Sequence, residues 1–175
     1  RWGRTGSAVS VVRGSHPISI LRAIDGAGLS LYSAGVSERE VSKPLGPDAN
    51  PYELLGGTEP VRALAKTFYD VMERDEPELT ALHPRADHGG VTQEIRERFG
   101  LFLVGWLGGP QDYMAQHGHP RLRLRHAHVP VDARMRDAWL RCMRVALQAH
   151  CEQPELREYL ERRFGEVADF LRNQA

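Results

Sequence analysis

The chain has eight histidines in 175 residues, and four of them, His117, His119, His126 and His128, fall in one short stretch. Arg121, Arg123 and Arg125 stand among them, and no acid lies between Tyr113 and Val131. An imidazole holds a metal or moves a proton, and a guanidinium grips carboxylates and phosphates with parallel N–H donors. So dense a group of both calls for a reason in a chain whose 23 basic and 23 acidic residues cancel. A zinc site would use His117-x-His119 and His126-x-His128 as ligand pairs. Zinc sites usually add Cys or carboxylate ligands, and carboxylates that orient the imidazoles, and none stands nearby in sequence. A nucleic-acid or phosphate patch would want an overall basic excess and interleaved aromatics, and both are missing.

These residues favour a third chemistry, that of haem. One histidine on a short helix between two longer ones would ligate the iron and leave the other face open to a gas. Arginines within a turn would then meet the two propionates, which are carboxylates suited to a bidentate guanidinium.

Such a site needs helices to hold it, and from Pro51 onward the chain supplies them. Gly56-Gly57 break the chain, Thr58 is a candidate N-cap and Pro60 suits a first turn, where its missing N–H costs nothing. Val61, Leu64, Ala65, Phe68, Tyr69 and Met72 then recur at spacings of three and four, which predicts a helix. Leu82-His83-Pro84 marks a corner. A second helix is expected from near Thr92, with Ile95, Phe99, Phe102, Leu103 and Trp106 as its stripe, ended by Gly108-Gly109-Pro110. A third opens at Asp132, carrying Met135, Trp139, Cys142, Met143 and Ala146 on one face. The last starts near Pro154 and turns Leu156, Tyr159, Leu160, Phe164, Val167 and Leu171 inward. No segment reads as strand, so the expected class is all-α.

In this order and at these spacings, the residues resemble the truncated haemoglobins, specifically the second group. The resemblance runs from Pro51 to about Leu171 and implies a truncated globin fold, a sandwich of two helices over two around a haem. Gly56-Gly57 and Gly108-Gly109-Pro110 match the group's glycine pairs, and Phe68-Tyr69 its distal pair on the second globin helix. Gly118-His119-Pro120-Arg121-Leu122-Arg123-Leu124-Arg125-His126 matches its proximal signature. Asp137-Ala138-Trp139-Leu140-Arg141-Cys142-Met143 matches the helix that carries its pocket tryptophan. The resemblance implies haem b (iron protoporphyrin IX) with His126 as proximal ligand, and Tyr69 and Trp139 as donors toward bound gas. It places Arg125 and Tyr113 at the propionates, Ile95, Phe99, Phe102 and Leu103 along the pocket, and His119 in a loop with a structural role. The sequence departs from the group's pattern at three places. His83 stands at a corner usually held by Phe or Tyr, where it can donate to the gas, bind the iron as a sixth ligand, or face solvent. Ile95 stands where a small residue is common, and Phe99 where a smaller apolar residue, often Leu, is usual.

The chain divides near residue 50. Residues 51–175 are expected to form the globin domain. Residues 1–50 lack any sustained period, are rich in Gly and Ser, and place four arginines before the first acid, Asp25. They are expected to be an N-terminal extension, either a disordered tail or a mistranslated leader. The sequence opens at Arg1 and its first methionine is Met72, which suggests a fragment, another start codon or translated upstream sequence. No run approaches a membrane span, and two cysteines nine apart, Cys142 and Cys151, make no disulfide framework. The expected location is cytoplasmic, with Cys142 a core residue, Cys151 half-exposed, and His117, His128 and His150 on the surface.

The expected function is binding of O2, NO and CO at a pentacoordinate iron. Tyr69, Trp139 and His83 would supply donors that slow O2 release, which suits NO detoxification or other redox chemistry better than O2 transport. A dioxygenase or peroxidase-like use needs an external reductase, because the chain shows no flavin or nicotinamide motif. No nucleic-acid or membrane partner is expected, and the resemblance allows a homodimer. The competing class is a haem-free helical module for interaction or sensing, for which His126 and its arginines would have no packing purpose.

Overall fold

The computed structural model describes Gly46 and residues 49–174, so the expected extension lies almost wholly outside the described residues. Eight helices follow in order: α1 Pro51–Leu54, α2 Thr58–Asp75, α3 Pro77–Thr80, α4 Gln93–Trp106, α5 Asp112–His117, α6 Leu122–His126, α7 Ala133–His150 and α8 Pro154–Leu171. The one extended pairing among the described residues is an isolated bridge between Arg85 and Val91.

The long helices form because their apolar residues fall on one stripe. On α2 that stripe buries Val61, Leu64, Ala65, Phe68 and Met72, and on α7 it buries Cys142, Met143, Ala146 and Leu147. Helix α2 packs on both α4 and α7, and α7 packs on α8, so the pair α2/α4 meets the pair α7/α8. This is the two-over-two sandwich.

Helix starts follow local chemistry. The Asp132 carboxylate accepts from the Met135 N–H at 2.8 Å and caps α7, as expected. The expected cap at Thr58 is displaced by one residue. Gly57 is the N-cap, with φ of 93°, a conformation that a threonine there would resist. Thr58 is instead the first helical residue, and its hydroxyl shares a 2.9 Å hydrogen bond with Tyr52 Oη.

Tyr52 also explains the second glycine pair. Its N–H donates to the Leu107 carbonyl at 3.1 Å, docking α1 on the end of α4. A Cβ on Gly109 would lie 2.5 Å from the Tyr52 ring, so only glycine allows that approach.

The short helices α3 and α5 were not expected, because four to six residues show no period. Cys151 is buried rather than half-exposed, and its thiol donates to the Gln153 carbonyl at 3.5 Å as the chain turns into α8. His128 is exposed, whereas His150 is partly buried and shares a 2.7 Å hydrogen bond with Thr67, because α7 lies against α2. His117 is partly buried too, its ring 5.2 Å from that of Tyr113.

Candidate functional site

A cavity of about 360 Å³ opens among α2, α4, α6, α7, α8 and the segment around His83. Tyr69, His83, Tyr113, Arg125, His126 and Trp139 all line it. Ile95, Phe99, Phe102 and Leu103 supply the α4 wall. Every residue expected at the site is therefore brought to one cavity. Sequence reasoning missed Arg98 and Arg136 on its wall, and it read Met135, Phe164, Val167 and Leu171 as helix packing alone.

Helix α6 is short and tightly built. Arg121 enters it in a left-handed conformation, φ 42° and ψ 52°, which strains a residue with a side chain. Its N–H donates to His119 Nδ1 at 3.1 Å, so the loop histidine holds that turn. Arg125 Nε donates to the Pro120 carbonyl at 2.8 Å. Asn173 Nδ2, beyond the end of α8, donates to the carbonyls of His126 and Val129, both at 2.9 Å. Nothing in the sequence pattern marks that asparagine.

These contacts fix one imidazole. His126 Nδ1 lies 2.8 Å from the Leu122 carbonyl, one turn back. A carbonyl only accepts, so Nδ1 carries the hydrogen, and in the neutral ring Nε2 keeps its lone pair. That is the tautomer a metal-ligating histidine needs, with its second nitrogen oriented by a backbone carbonyl.

His83 is arranged in the same way, with Nδ1 donating to the Leu79 carbonyl at 3.0 Å. Burial pushes its pKa below the ordinary histidine value, with the carbonyl opposing the shift and the nearby His126 adding to it. The neutral ring therefore presents an acceptor nitrogen, and a direct N–H donation toward the cavity would require protonation.

Tyr69 is 4% exposed. Its ring meets Phe68, Phe99 and His83 edge-on, at centroid separations of 5.1, 5.6 and 5.8 Å. Burial pushes the phenol pKa far above its ordinary value and Arg96 draws it partly back, so the hydroxyl keeps its proton. Among the described residues Tyr69 Oη has no hydrogen-bond partner, and neither has Trp139 Nε1. Tyr69 and Trp139 thus line an apolar, aromatic cavity, and neither donor has a protein acceptor.

The guanidiniums around the cavity differ. Arg98 pairs with Glu94, and Arg136 pairs with Asp137 at 2.8 Å and Asp169 at 2.5 Å. Arg125 has no ion pair among the described residues, so it is free to meet an anionic group. The set of imidazoles with an open Nε2, aromatic walls, two partnerless donors and an unpaired arginine fits a haem with its propionates. Among the described residues no three His, Cys, Asp or Glu side chains group closely enough to hold a bare metal ion. Burial raises the Cys142 thiol to about 11, which leaves it an unreactive core residue.

A two-over-two helical sandwich around such a cavity defines a globin. The profile of the bacterial-like globin family matches residues 50–173. The group 2 truncated haemoglobin YjbI of Bacillus subtilis (strain 168) is 36% identical over 124 residues, 71% of this chain and 89% of that protein. Among solved structures, a cold-adapted truncated haemoglobin from the Antarctic marine bacterium Pseudoalteromonas haloplanktis TAC125 is 42% identical. It superposes with a TM-score of 0.68 over 73% of this chain and 100% of that one. The group II 2-on-2 haemoglobin of the plant pathogen Agrobacterium tumefaciens is 35% identical, with a TM-score of 0.66 over 75% and 99% of the two chains. The chain belongs to the bacterial-like globin family, as a truncated haemoglobin of the second group. Membership of a globin family implies a haem that binds gas.

Proposed function

We propose that this chain binds haem b in the cavity through His126 Nε2, and that Tyr69 and Trp139 retain a diatomic gas there for NO detoxification or related redox chemistry. The observation that supports this most is the pair of donors, Tyr69 Oη and Trp139 Nε1, that share a cavity with a histidine already in its ligating tautomer. Haem supplies an iron that takes up O2, NO or CO and exchanges single electrons.

The side chains do the rest. The Leu122 carbonyl orients His126, and Arg125 and Tyr113, which line the same cavity, meet the propionates. Ile95, Phe99, Phe102 and Leu103 keep water from the gas and lower the local dielectric, which strengthens each hydrogen bond inside. Tyr69 and Trp139 donate to the partly negative end of the gas ligand. His83, neutral with its Nε2 open, offers a second nitrogen for the iron, and protonation turns it into a donor to the gas.

Slow O2 release makes a poor carrier and suits turnover, for which a separate reductase must supply electrons. One of the structurally similar proteins is described as a truncated oxygen-avid haemoglobin from Bacillus subtilis, and the same behaviour is expected here.

Absorption spectra of the ferric, ferrous and ferrous–CO forms test the proposal. A strong Soret band that shifts to a histidine-ligated CO form is expected. A six-coordinate ferrous spectrum would assign His83 to the iron, and a protein that refuses haem would refute the proposal.

A further inference from the structure

Arg96 is not on the cavity wall, yet its guanidinium carbon lies 5.4 Å from the centre of the Tyr69 ring. The residue sits in the first turns of α4, and its side chain is 16% exposed. Asp70 Oδ1 holds it at 2.8 Å and Glu73 Oε1 at 2.7 Å. Both carboxylates project from α2, Asp70 being the residue after Tyr69. Glu73 Oε1 also accepts from the Val91 N–H at 2.6 Å, which ties the same carboxylate to the entry of α4. The cation is therefore locked at both sides before it meets the ring.

A cation on the face of a phenol attracts the ring's negative quadrupole, and it favours the phenolate over the phenol. It thereby makes the O–H a stronger donor and discourages the ring from rotating away. We propose that Arg96 is a positioning residue for Tyr69: its guanidinium, fixed by Asp70 and Glu73, holds the phenol ring and strengthens the hydroxyl as a donor to the gas ligand. This rests on the assignment of Tyr69 as a gas-stabilising donor.

The surrounding charges are consistent with that division of labour. Asp70 also pairs with Lys66 at 2.6 Å, so both α2 carboxylates are engaged. His83, a titratable group whose ring centre lies 5.8 Å from that of Tyr69, has its proton on the Leu79 carbonyl side. Among the described residues, Arg96 is the one cation whose charge lowers the phenol pKa against burial. A residue that merely clamped α2 to α4 would leave the donor strength of Tyr69 unchanged.

Four haem-loaded ferrous proteins separate these roles: Arg96→Gln, Arg96→Lys, Tyr69→Phe and the Tyr69→Phe/Arg96→Gln double variant. The readouts are the C–O stretching frequency of the CO form, the O2 dissociation rate and the melting temperature. R96Q is expected to raise the O2 dissociation rate about two- to tenfold and to move the C–O stretch toward that of Y69F. R96K keeps the charge, but its hydrated ammonium covers the ring poorly, so it falls between wild type and R96Q. Both effects of R96Q should vanish in the Y69F background.

R96Q that only lowers the melting temperature, or effects that persist without the Tyr69 hydroxyl, would overturn the proposal. Should R96Q not fold, R96K with wild-type rate and stretch would overturn it equally. If Y69F itself changes neither readout, the assignment of Tyr69 fails and this inference falls with it. If Y69F changes both while R96Q changes neither, this inference alone fails.

Discussion

Replacing Tyr69 by Phe removes one oxygen and leaves the ring's contacts with Phe68, Phe99 and His83 in place. In the protein without bound gas, Tyr69 Oη has no protein partner to lose. Removing a hydroxyl that makes no protein hydrogen bond costs little, so unfolding free energy should fall by no more than about 0.5 kcal/mol. The gas complex behaves oppositely. Burial keeps the phenol protonated, and no protein acceptor competes for its hydrogen. A hydrogen bond to a charged acceptor contributes roughly 1.5–3 kcal/mol. If it is lost on the way to release, O2 should dissociate about tenfold to 150-fold faster. Removing the Trp139 N–H as well, in Tyr69→Phe/Trp139→Phe, should bring the total to at least on the order of a hundredfold. The tryptophan variant also trims an aromatic contact, since Trp139 lies 5.2 Å from Phe68 and 5.7 Å from Phe164 by ring centroids. Tyr69→Phe is therefore the cleaner test. Stopped-flow displacement of O2 by CO gives the rate, and chemical denaturation gives the stability. A Tyr69→Phe protein with unchanged O2 release, or one that loses several kcal/mol of stability, would refute the reasoning.

Three other perturbations follow from the same geometry. His126→Ala should abolish stable haem uptake, read as loss of the Soret band after gel filtration; a normal five-coordinate ferrous spectrum would show that another residue ligates. Gly109→Ala would drive a Cβ to 2.5 Å from the Tyr52 ring, and overpacking of that kind costs about 1–3 kcal/mol, a fall of several degrees in melting temperature. A melting temperature within a degree of wild type would mean that α1 is free to move aside. His83 should make stability fall with acid. Its folded pKa is held below the ordinary value near 6.5, so the unfolded chain binds that proton more tightly. The contribution is complete above about pH 6.5 and is lost as pH falls toward the folded pKa. His83→Phe should flatten the pH dependence of the melting temperature in that window, and an unaltered slope would rule the contribution out.

The long helices were legible because each buries one stripe, and the period of that stripe survives in the sequence whatever it packs against. The site was legible because α6 and its flanks carry an unusual local density of His and Arg. What could not be read depends on contacts between distant residues. Arg96 lies in Glu94-Ile95-Arg96-Glu97-Arg98, which reads as an ordinary charged helix face until α2 brings Asp70, Glu73 and the Tyr69 ring to it. His150 looked like a surface residue, yet it bonds to Thr67, 83 positions away. Asn173 carries no pattern at all and still ties the carbonyl of His126 to the end of α8. The cap at α2 was misplaced because a threonine side chain is a usual N-cap, while the turn from α1 runs through Gly56 and Gly57 at φ of 94° and 93°, a conformation threonine resists.

A cavity of this size, were it unfilled, would cost stability, and that bears on function. At about 24 cal/mol per Å³, an empty hole of about 360 Å³ would cost at most about 9 kcal/mol, less where water enters its mouth. That is comparable to the whole stability of an ordinary domain, roughly 5–15 kcal/mol. A left-handed Arg121 at the entry to α6 adds to it. A helical module kept for packing or docking alone would have closed the hole with larger side chains on α4 or α8 and satisfied Tyr69 and Trp139 with protein acceptors. Under the proposed function each of these features would gain a contact, the walls with haem, Arg125 with a propionate and His126 with the iron. The features that are unfavourable in the protein by itself are the same features that the proposed function uses.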